Sequence, residues 1–192
     1  MTIEDKHACA ELIQAWGLYR DQRRWAELLS TFHPEGEIAV SWFRGPFTEF
    51  VEHCKRGGPS KHLILPSVVR VAGERAVAET SIVILVRQKI DGIVADMASR
   101  GRFLDRLERR QASWRIIERA TIYEQDRLDP VEPSEAFDRM MSSAKASNHP
   151  EPYRYMAVRL AAAGRALAQP VHHDGAPHTS LLYARYEAWL AG

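Results

Sequence analysis

The sequence predicts an α+β domain: N-terminal helices packed on a curved, mostly antiparallel sheet that closes as a cone, followed by a helical C-terminal extension. Three observations predict it. Apolar residues recur at helical spacing between Ile3 and Lys55. From His62 to Tyr123 the period shifts toward two, in runs rich in Val and Ile. After Asp129–Pro133 the composition changes again and helical spacing returns. Helices segregated to one side of an antiparallel meander give this layered architecture. The expected division is a cone domain over 1–130 and a helical extension over 131–192, packing on its own or a neighbouring subunit.

Each element has a local warrant. Ile3 to Tyr19 reads as an amphipathic helix with Thr2 as its cap and Asp5 three residues on, and with Ala8, Leu12, Ala15, Trp16 and Tyr19 on one face. A polar break at Asp21–Arg24 precedes a short helix with Trp25, Leu28, Leu29 and Phe32, which His33–Gly36 is expected to stop. Glu37 to Trp42 reads as a short strand. Pro46 to Lys55 is a third helix with Phe47, Phe50, Val51 and Cys54 on one side, ended at Gly57–Pro59. His62 to Val71 is a strand, and Pro66 within it signals a bulge or an edge. Ala76 to Lys89 and Ile93 to Arg109 are long strands joined by the hairpin signal Asp91–Gly92. Ser113 to Tyr123 is the last strand. Beyond Asp129, helices are expected over Pro133–Ala144, Tyr153–Ala168 and Thr179–Leu190, with a solvated loop at His172–His178.

Bulk properties set the bounds. A chain of 192 residues suits one domain plus an appendage, long enough to bury roughly 70% of its unfolded surface without staples. Its 26 basic and 25 acidic residues leave a net charge of +1, which speaks against nucleic-acid binding. Cys9 and Cys54 have neither a C-x-x-C nor a zinc spacing and read as small buried thiols. The N-terminus does not read as a signal peptide and no run is long enough to span a bilayer, so a cytoplasmic protein without membrane contact is the expectation. No P-loop, G-x-G-x-x-G, G-x-S-x-G or H-E-x-x-H motif is present.

Five residues remain as carriers of chemistry: Tyr19, Asp21, His62, Arg119 and Tyr123. Asp21 follows the first helix, where the macrodipole disfavours a carboxylate. Either a histidine holds it, or it is a solvated loop acid or a cap for the second helix. His62 opens a strand on the face shared with Ile64 and Pro66, as a catalytic or a structural histidine. Arg119 shares a face with Ile117, Thr121 and Tyr123. If inward, it needs an anion or an acid such as Asp105 or Glu79.

Tyr19-Arg20-Asp21 followed by Trp25, Leu28 and Phe32 resembles the SnoaL-like branch of the nuclear transport factor 2-like superfamily. So do Lys61-His62 leading a strand into Val69–Thr80, and the run from Gly101 through Phe103, Asp105, Trp114 and Ile116 to Arg119. The resemblance runs from Ile3 to Pro130 and implies a cystatin-like α+β roll. Gln111–Ser113 stands where typical members have an Asp-Gly turn, and the long C-terminal extension is an addition. Scytalone dehydratase, bile-acid 7α-dehydratase and hexachlorocyclohexane dehydrochlorinase use a histidine–aspartate pair in the cone. The resemblance carries that pair onto His62 and Asp21, an oxyanion- or leaving-group-stabilising arginine onto Arg119, and a substrate-polarising tyrosine onto Tyr19.

The implied activity is a cofactor-independent lyase, performing dehydration, dehydrohalogenation or retro-aldol loss of formaldehyde on a small apolar substrate, aromatic or polycyclic. Neutral His62 takes the proton and Asp21 holds the other ring nitrogen. Trp42, Ile64, Phe103 and Tyr123 are expected to line the substrate pocket. No metal or organic cofactor is expected. An isomerase using the same pair, and a non-catalytic binding or subunit-type protein, are the alternatives. The dehydratase and dehydrochlorinase members imply a homo-oligomer, a trimer ahead of a dimer. The alternating apolar residues Ile82 to Val86 point the same way, because neither sheet face is plainly polar.

Overall fold

The computed structural model describes residues 2–145 and 149–192. Helix α1 spans Ile3–Asp21, and both halves of the Thr2–Asp5 capping box form at its start. Its buried stripe is Cys9, Ile13, Trp16, Gly17 and Arg20. That is rotated from the expected Ala8–Leu12–Tyr19 face, because Cys and Ile bury more apolar surface than the alanines they displace. Asp21 is the last residue of α1, not a loop residue beyond it.

Helix α2 covers Trp25–Ser30. His33–Gly36 does not form a stop. It lies within strand β1, Phe32–Val40, which turns back at Ser41 and Trp42 into a short strand β2, Phe43–Pro46. Helix α3, Phe47–Arg56, buries Phe47, Phe50, Val51 and Cys54, the expected face. Strand β3, Lys61–Ala72, is a sheet edge whose register shifts between Ile64 and Ser67. Pro66 thus sits at both an edge and a bulge, where its missing N–H costs no ladder bond.

Strands β4 (Arg75–Ile90), β5 (Ile93–Arg110) and β6 (Ser113–Pro130) form the long meander. The turns at Asp91–Gly92 and Gln111–Ala112 have positive φ at both central residues, which matches the strand twist. The six strands run β2-β1-β6-β5-β4-β3, all neighbours antiparallel except β1 with β6. Bulges at Arg100/Gly101 and Arg106/Leu107 accompany the curvature. Helices α1 and α3 fill the concave side, where Ile13, Trp16, Phe47 and Phe50 pack with Ile38, Ile82, Phe103, Leu107 and Ile116.

The C-terminal segment covers both faces of the sheet. Helix α4 spans Glu135–Lys145. A single 3-10 turn at Glu151–Tyr153 leads into α5, Arg154–Ala162. The expected helix to Ala168 ends there because Gly164 adopts φ 66°, a left-handed exit that glycine takes without strain. Tyr153, Met156 and Leu160 pack on Met97, Tyr123 and Leu128 at the wide end of the cone.

Helix α6, Pro177–Ala191, lies on the convex face, with Leu182 and Tyr186 on Val77, Leu104, Ala120 and Ile122. Arg102 pins the approach to it through Glu79, Glu124 and Asp174. The chain thus covers this part of its own sheet, while Val68 at the β3 edge stays 71% exposed. His172–His178 is not a solvated loop. The His172 carbonyl accepts the Tyr123 N–H at 2.9 Å, and burial pushes the His172 imidazole down to about 4. No helix among the described residues is long and apolar enough to cross a membrane.

Candidate functional site

The last turn of α1 lies directly on the start of β3. Gly17 permits the approach: a Cβ there would come within 2.6 Å of Ile64 Cγ1. Four residues on, Asp21 meets His62. Asp21 Oδ1 lies 2.6 Å from His62 Nδ1, and Asp21 Oδ2 accepts the His62 backbone N–H at 2.8 Å. Lys61 Nζ stands 3.4 Å from the same oxygen. These donors offset the unfavourable helix terminus and keep the acid in place.

Burial opposes the Asp21 charge, but the hydrogen bonds from His62, then the charges of His62 and Lys61, hold its pKa below the usual carboxylate range. Burial likewise lowers the His62 imidazole. Asp21 pulls it up, Arg20 and Arg119 push it further down, and the net shift is downward. His62 is therefore neutral near pH 7. An ionised Asp21 only accepts, so the ring hydrogen sits on Nδ1 and the lone pair on Nε2. That Nε2 makes no hydrogen bond among the described residues, and His62 lines a cavity in the cone.

The cavity holds about 160 Å³, enough for roughly ten water-sized spheres. Trp42, Phe103 and Tyr123 line it, as do Trp16, Phe50 and Met156. Trp16 presents its ring edge-on to His62 at 5.4 Å between centroids. The Tyr123 hydroxyl accepts the Ser41 N–H at 2.9 Å, and burial raises its pKa, so it stays protonated.

Three expected site residues lie elsewhere. Ile64 packs beneath α1 against Gly17 and is not part of the cavity wall. Tyr19 also lies off the wall. The rotated stripe of α1 turns it to the flank, where the Arg24 guanidinium stacks 4.6 Å from its ring centroid. Arg119 points to the concave side but does not reach the cavity. It is 0% exposed and held bidentately by Asp105 at 2.6 and 2.8 Å, with the Phe103 centroid at 3.9 Å and Trp16 at 4.6 Å. Its charge depresses the His62 imidazole through space but makes no contact in the pocket.

All four arginines of the cavity wall escaped the sequence reading: Arg20, Arg87, Arg159 and Arg165. Arg20 had a findable signal, since the stripe Cys9, Ile13, Trp16 continues onto it at helical spacing. Arg159 on α5 and Arg165 just beyond it reach the wall through long-range packing that local pattern does not carry. Among the described residues, no group of three or more His, Cys, Asp or Glu gathers as a metal site would require.

The model of the SnoaL-like domain matches residues 1–120. A PEP2-like protein of Fusarium vanettenii is 27% identical over 95% of this chain and 84% of its own length. Among solved structures, a candidate scytalone dehydratase of Novosphingobium aromaticivorans superposes with a TM-score of 0.56 at 12% identity, covering 69% of this chain and 97% of that one. A type 2 hexachlorocyclohexane dehydrochlorinase superposes with a TM-score of 0.53 at 14% identity, over 69% and 92%. At such identities the likeness is one of fold, the cystatin-like roll. The family match spans most of the chain and stops short of the segment supplying Arg159 and Arg165, and on that ground the chain belongs to the SnoaL-like domain family.

Proposed function

We propose that this chain is a lyase that eliminates a leaving group from a small, largely apolar organic substrate, with His62 as general base and Asp21 as its positioning residue. The observation that carries the reading is the 2.6 Å Asp21–His62 hydrogen bond, which leaves Nε2 of a neutral imidazole unpaired, among the described residues, on a residue that lines the cavity. Nε2 takes a proton from carbon, the C–H electron pair becomes a double bond, and the neighbouring bond breaks with its pair on the leaving group. A hydroxide leaving group recovers the proton from the imidazolium and departs as water; a halide departs as such. In the retro-aldol variant Nε2 takes a hydroxyl proton, the C–C bond breaks to release formaldehyde, and the imidazolium returns the proton to the carbanion. Asp21 stabilises the imidazolium in each case. The chain's own residues suffice for these steps, with no metal or organic cofactor. The family fold shared with a dehydrochlorinase supports the reading.

Among the described residues the cavity lining has no carboxylate, and the one at His62 is Asp21, on Nδ1. A proton taken up on Nε2 can be returned to a second carbon, which gives an isomerase with the same pair. The test is to incubate β-hydroxy and β-halo substrates in deuterium oxide with the wild type and His62→Ala. Lyase action gives the alkene and free leaving group. Isomerase action gives a product of unchanged composition, and deuterium at carbon marks any proton that exchanged with solvent on His62. Activity retained in His62→Ala would end both, and no turnover with either would favour a binding protein.

A further inference from the structure

The cavity that His62 lines is walled by Arg20, Arg87, Arg159 and Arg165 and, among the described residues, by no aspartate or glutamate. Arg87 is matched outside it by Asp96 at 2.6 Å. The other three have no ion-pair partner among the described residues. Arg159 is the most telling. Its Nη1 donates to Gln88 Oε1 at 2.9 Å and its Nη2 faces Met156 Sδ at 3.4 Å, both neutral, and its buried Nε has no partner. Burial works against its charge. Arg20 is only 9% exposed, and Arg165 lies 5.5 Å from the Trp42 ring in the same wall.

Burying a guanidinium without an anion is costly. Elsewhere in the same cone the chain meets that cost with a carboxylate, as Asp105 does for Arg119. The rest of the wall mixes apolar and aromatic side chains, Trp42, Phe50, Phe103 and Ile84, with the neutral polar Ser41, Gln88 and Thr121. A guanidinium binds a carboxylate through two parallel N–H···O bonds. A phosphate can be held in the same way, so it is the competing anion that the test must separate. Arg159 and Arg165 also lie beyond the stretch that matches the family, so this charge belongs to the chain's own tail.

We propose that the substrate is a monocarboxylate: a small ring-bearing acid on the order of ten non-hydrogen atoms, its carboxylate held by Arg159 with Arg20 and Arg165 and its reacting carbon turned toward His62. The assignment rests on the reading of this cavity as the reaction site, since the carboxylate serves as a handle remote from the proton that is removed. The carboxylate replaces the missing acid, and the aromatic wall takes the ring.

The test uses the full chain and two matched pairs, benzoate with benzamide and cinnamate with cinnamamide, titrated by calorimetry at pH 7, with phenyl phosphate as a third probe. The acids should bind at least tenfold more tightly than their amides. Arg159→Met should abolish that difference while leaving amide affinity unchanged. Its melting temperature should not fall, because the variant removes an unmatched buried charge. Arg159→Lys should restore part of the preference, and Arg165→Ala, at an exposed position, should weaken acid binding without touching the core. Equal binding of acids and amides, phenyl phosphate binding more tightly than benzoate, or equal losses for both classes in Arg159→Met would overturn the proposal. Acid-selective binding without any turnover would sink the lyase reading and leave this one standing. Turnover of a neutral substrate unaffected by Arg159→Met would do the reverse.

Discussion

Two carboxylate–base pairs lie on the concave side of one sheet, Asp21–His62 and Asp105–Arg119. Both are short, each with a closest contact of 2.6 Å; Asp105 and Arg119 are fully buried, while Asp21 and His62 are part-buried residues whose side chains are largely enclosed. They differ in what the base can still do. Arg119 is charged at every working pH, bound through two nitrogens and enclosed by Trp16 and Phe103. His62 spends one nitrogen on Asp21 and keeps the other at the cavity. The Asp105–Arg119 pair can only hold strands together; the Asp21–His62 pair can gain and lose a proton. Burial with a partner is thus no mark of a site. What distinguishes a site is a titratable atom left over after the partner has been satisfied.

Substitutions can break this contrast. The largest effect expected is on His62→Ala: turnover falls by about 10²- to 10⁴-fold with the fold unchanged, read as kcat/KM beside a melting curve. Asp105→Ala should do the opposite. It leaves a buried guanidinium unmatched and costs about 3–5 kcal/mol, read by urea denaturation, while the folded fraction keeps the cavity of the wild type. A stable Asp105→Ala protein as inactive as His62→Ala would place that pair in the chemistry and dissolve the distinction.

Asp21→Asn should lower turnover by up to about 10⁴-fold, because the amide can hold the wrong tautomer. It also has a signature that a structural role would not give. Asp21 raises the His62 pKa, so its removal moves the acid limb of the rate profile to lower pH. In the wild type the base works when neutral. Activity should therefore be full at neutral pH and fall as pH drops through a midpoint below about 6.5, the ordinary histidine value. A midpoint above that value would contradict the burial of His62. The smallest effect expected is for Tyr19→Phe, which keeps the stack with Arg24: within about 0.5 kcal/mol in stability and no change in turnover. A tenfold loss of turnover would bring Tyr19 back to the reacting centre.

Much of this could be read from the chain, for local reasons. The Thr2–Asp5 box, the Asp91–Gly92 turn and the bulge at Pro66 are each decided within a few residues. Strand alternation grouped His62 with Ile64 and Arg119 with Thr121 and Tyr123 but left open which way they face. For Arg119 the sequence offered two partners, Asp105 and Glu79, and Asp105 is the one that binds it, but pairing by register alone would not have chosen it. Counting back from the Gln111–Ala112 turn without a bulge sets Arg119 opposite Leu104; the register shift at Arg106/Leu107 brings Asp105 there instead. Nothing local announces that shift. The short strand β2 was hidden because it ends at Pro46, which reads as the start of the third helix. Choosing alanines over Cys9 and Ile13 misphased α1 and exchanged Tyr19 for Arg20. Arg159 and Arg165 depend on how the tail folds back, which no window of sequence contains.

Gly17 sets a limit on how this chain can drift. The meeting of Asp21 with His62 depends on an atom that is not there, since a methyl at position 17 collides with Ile64. The two positions are thereby tied. Gly17→Ala alone lifts the end of α1 from β3 and stretches the acid away from the imidazole, whereas Gly17→Ala with Ile64→Ala gives the methyl room. Among descendants of this sequence the two sites are expected to change in step, each neutral only in the company of the other. The pair that is most exposed to selection would then be two apolar residues that never meet a substrate.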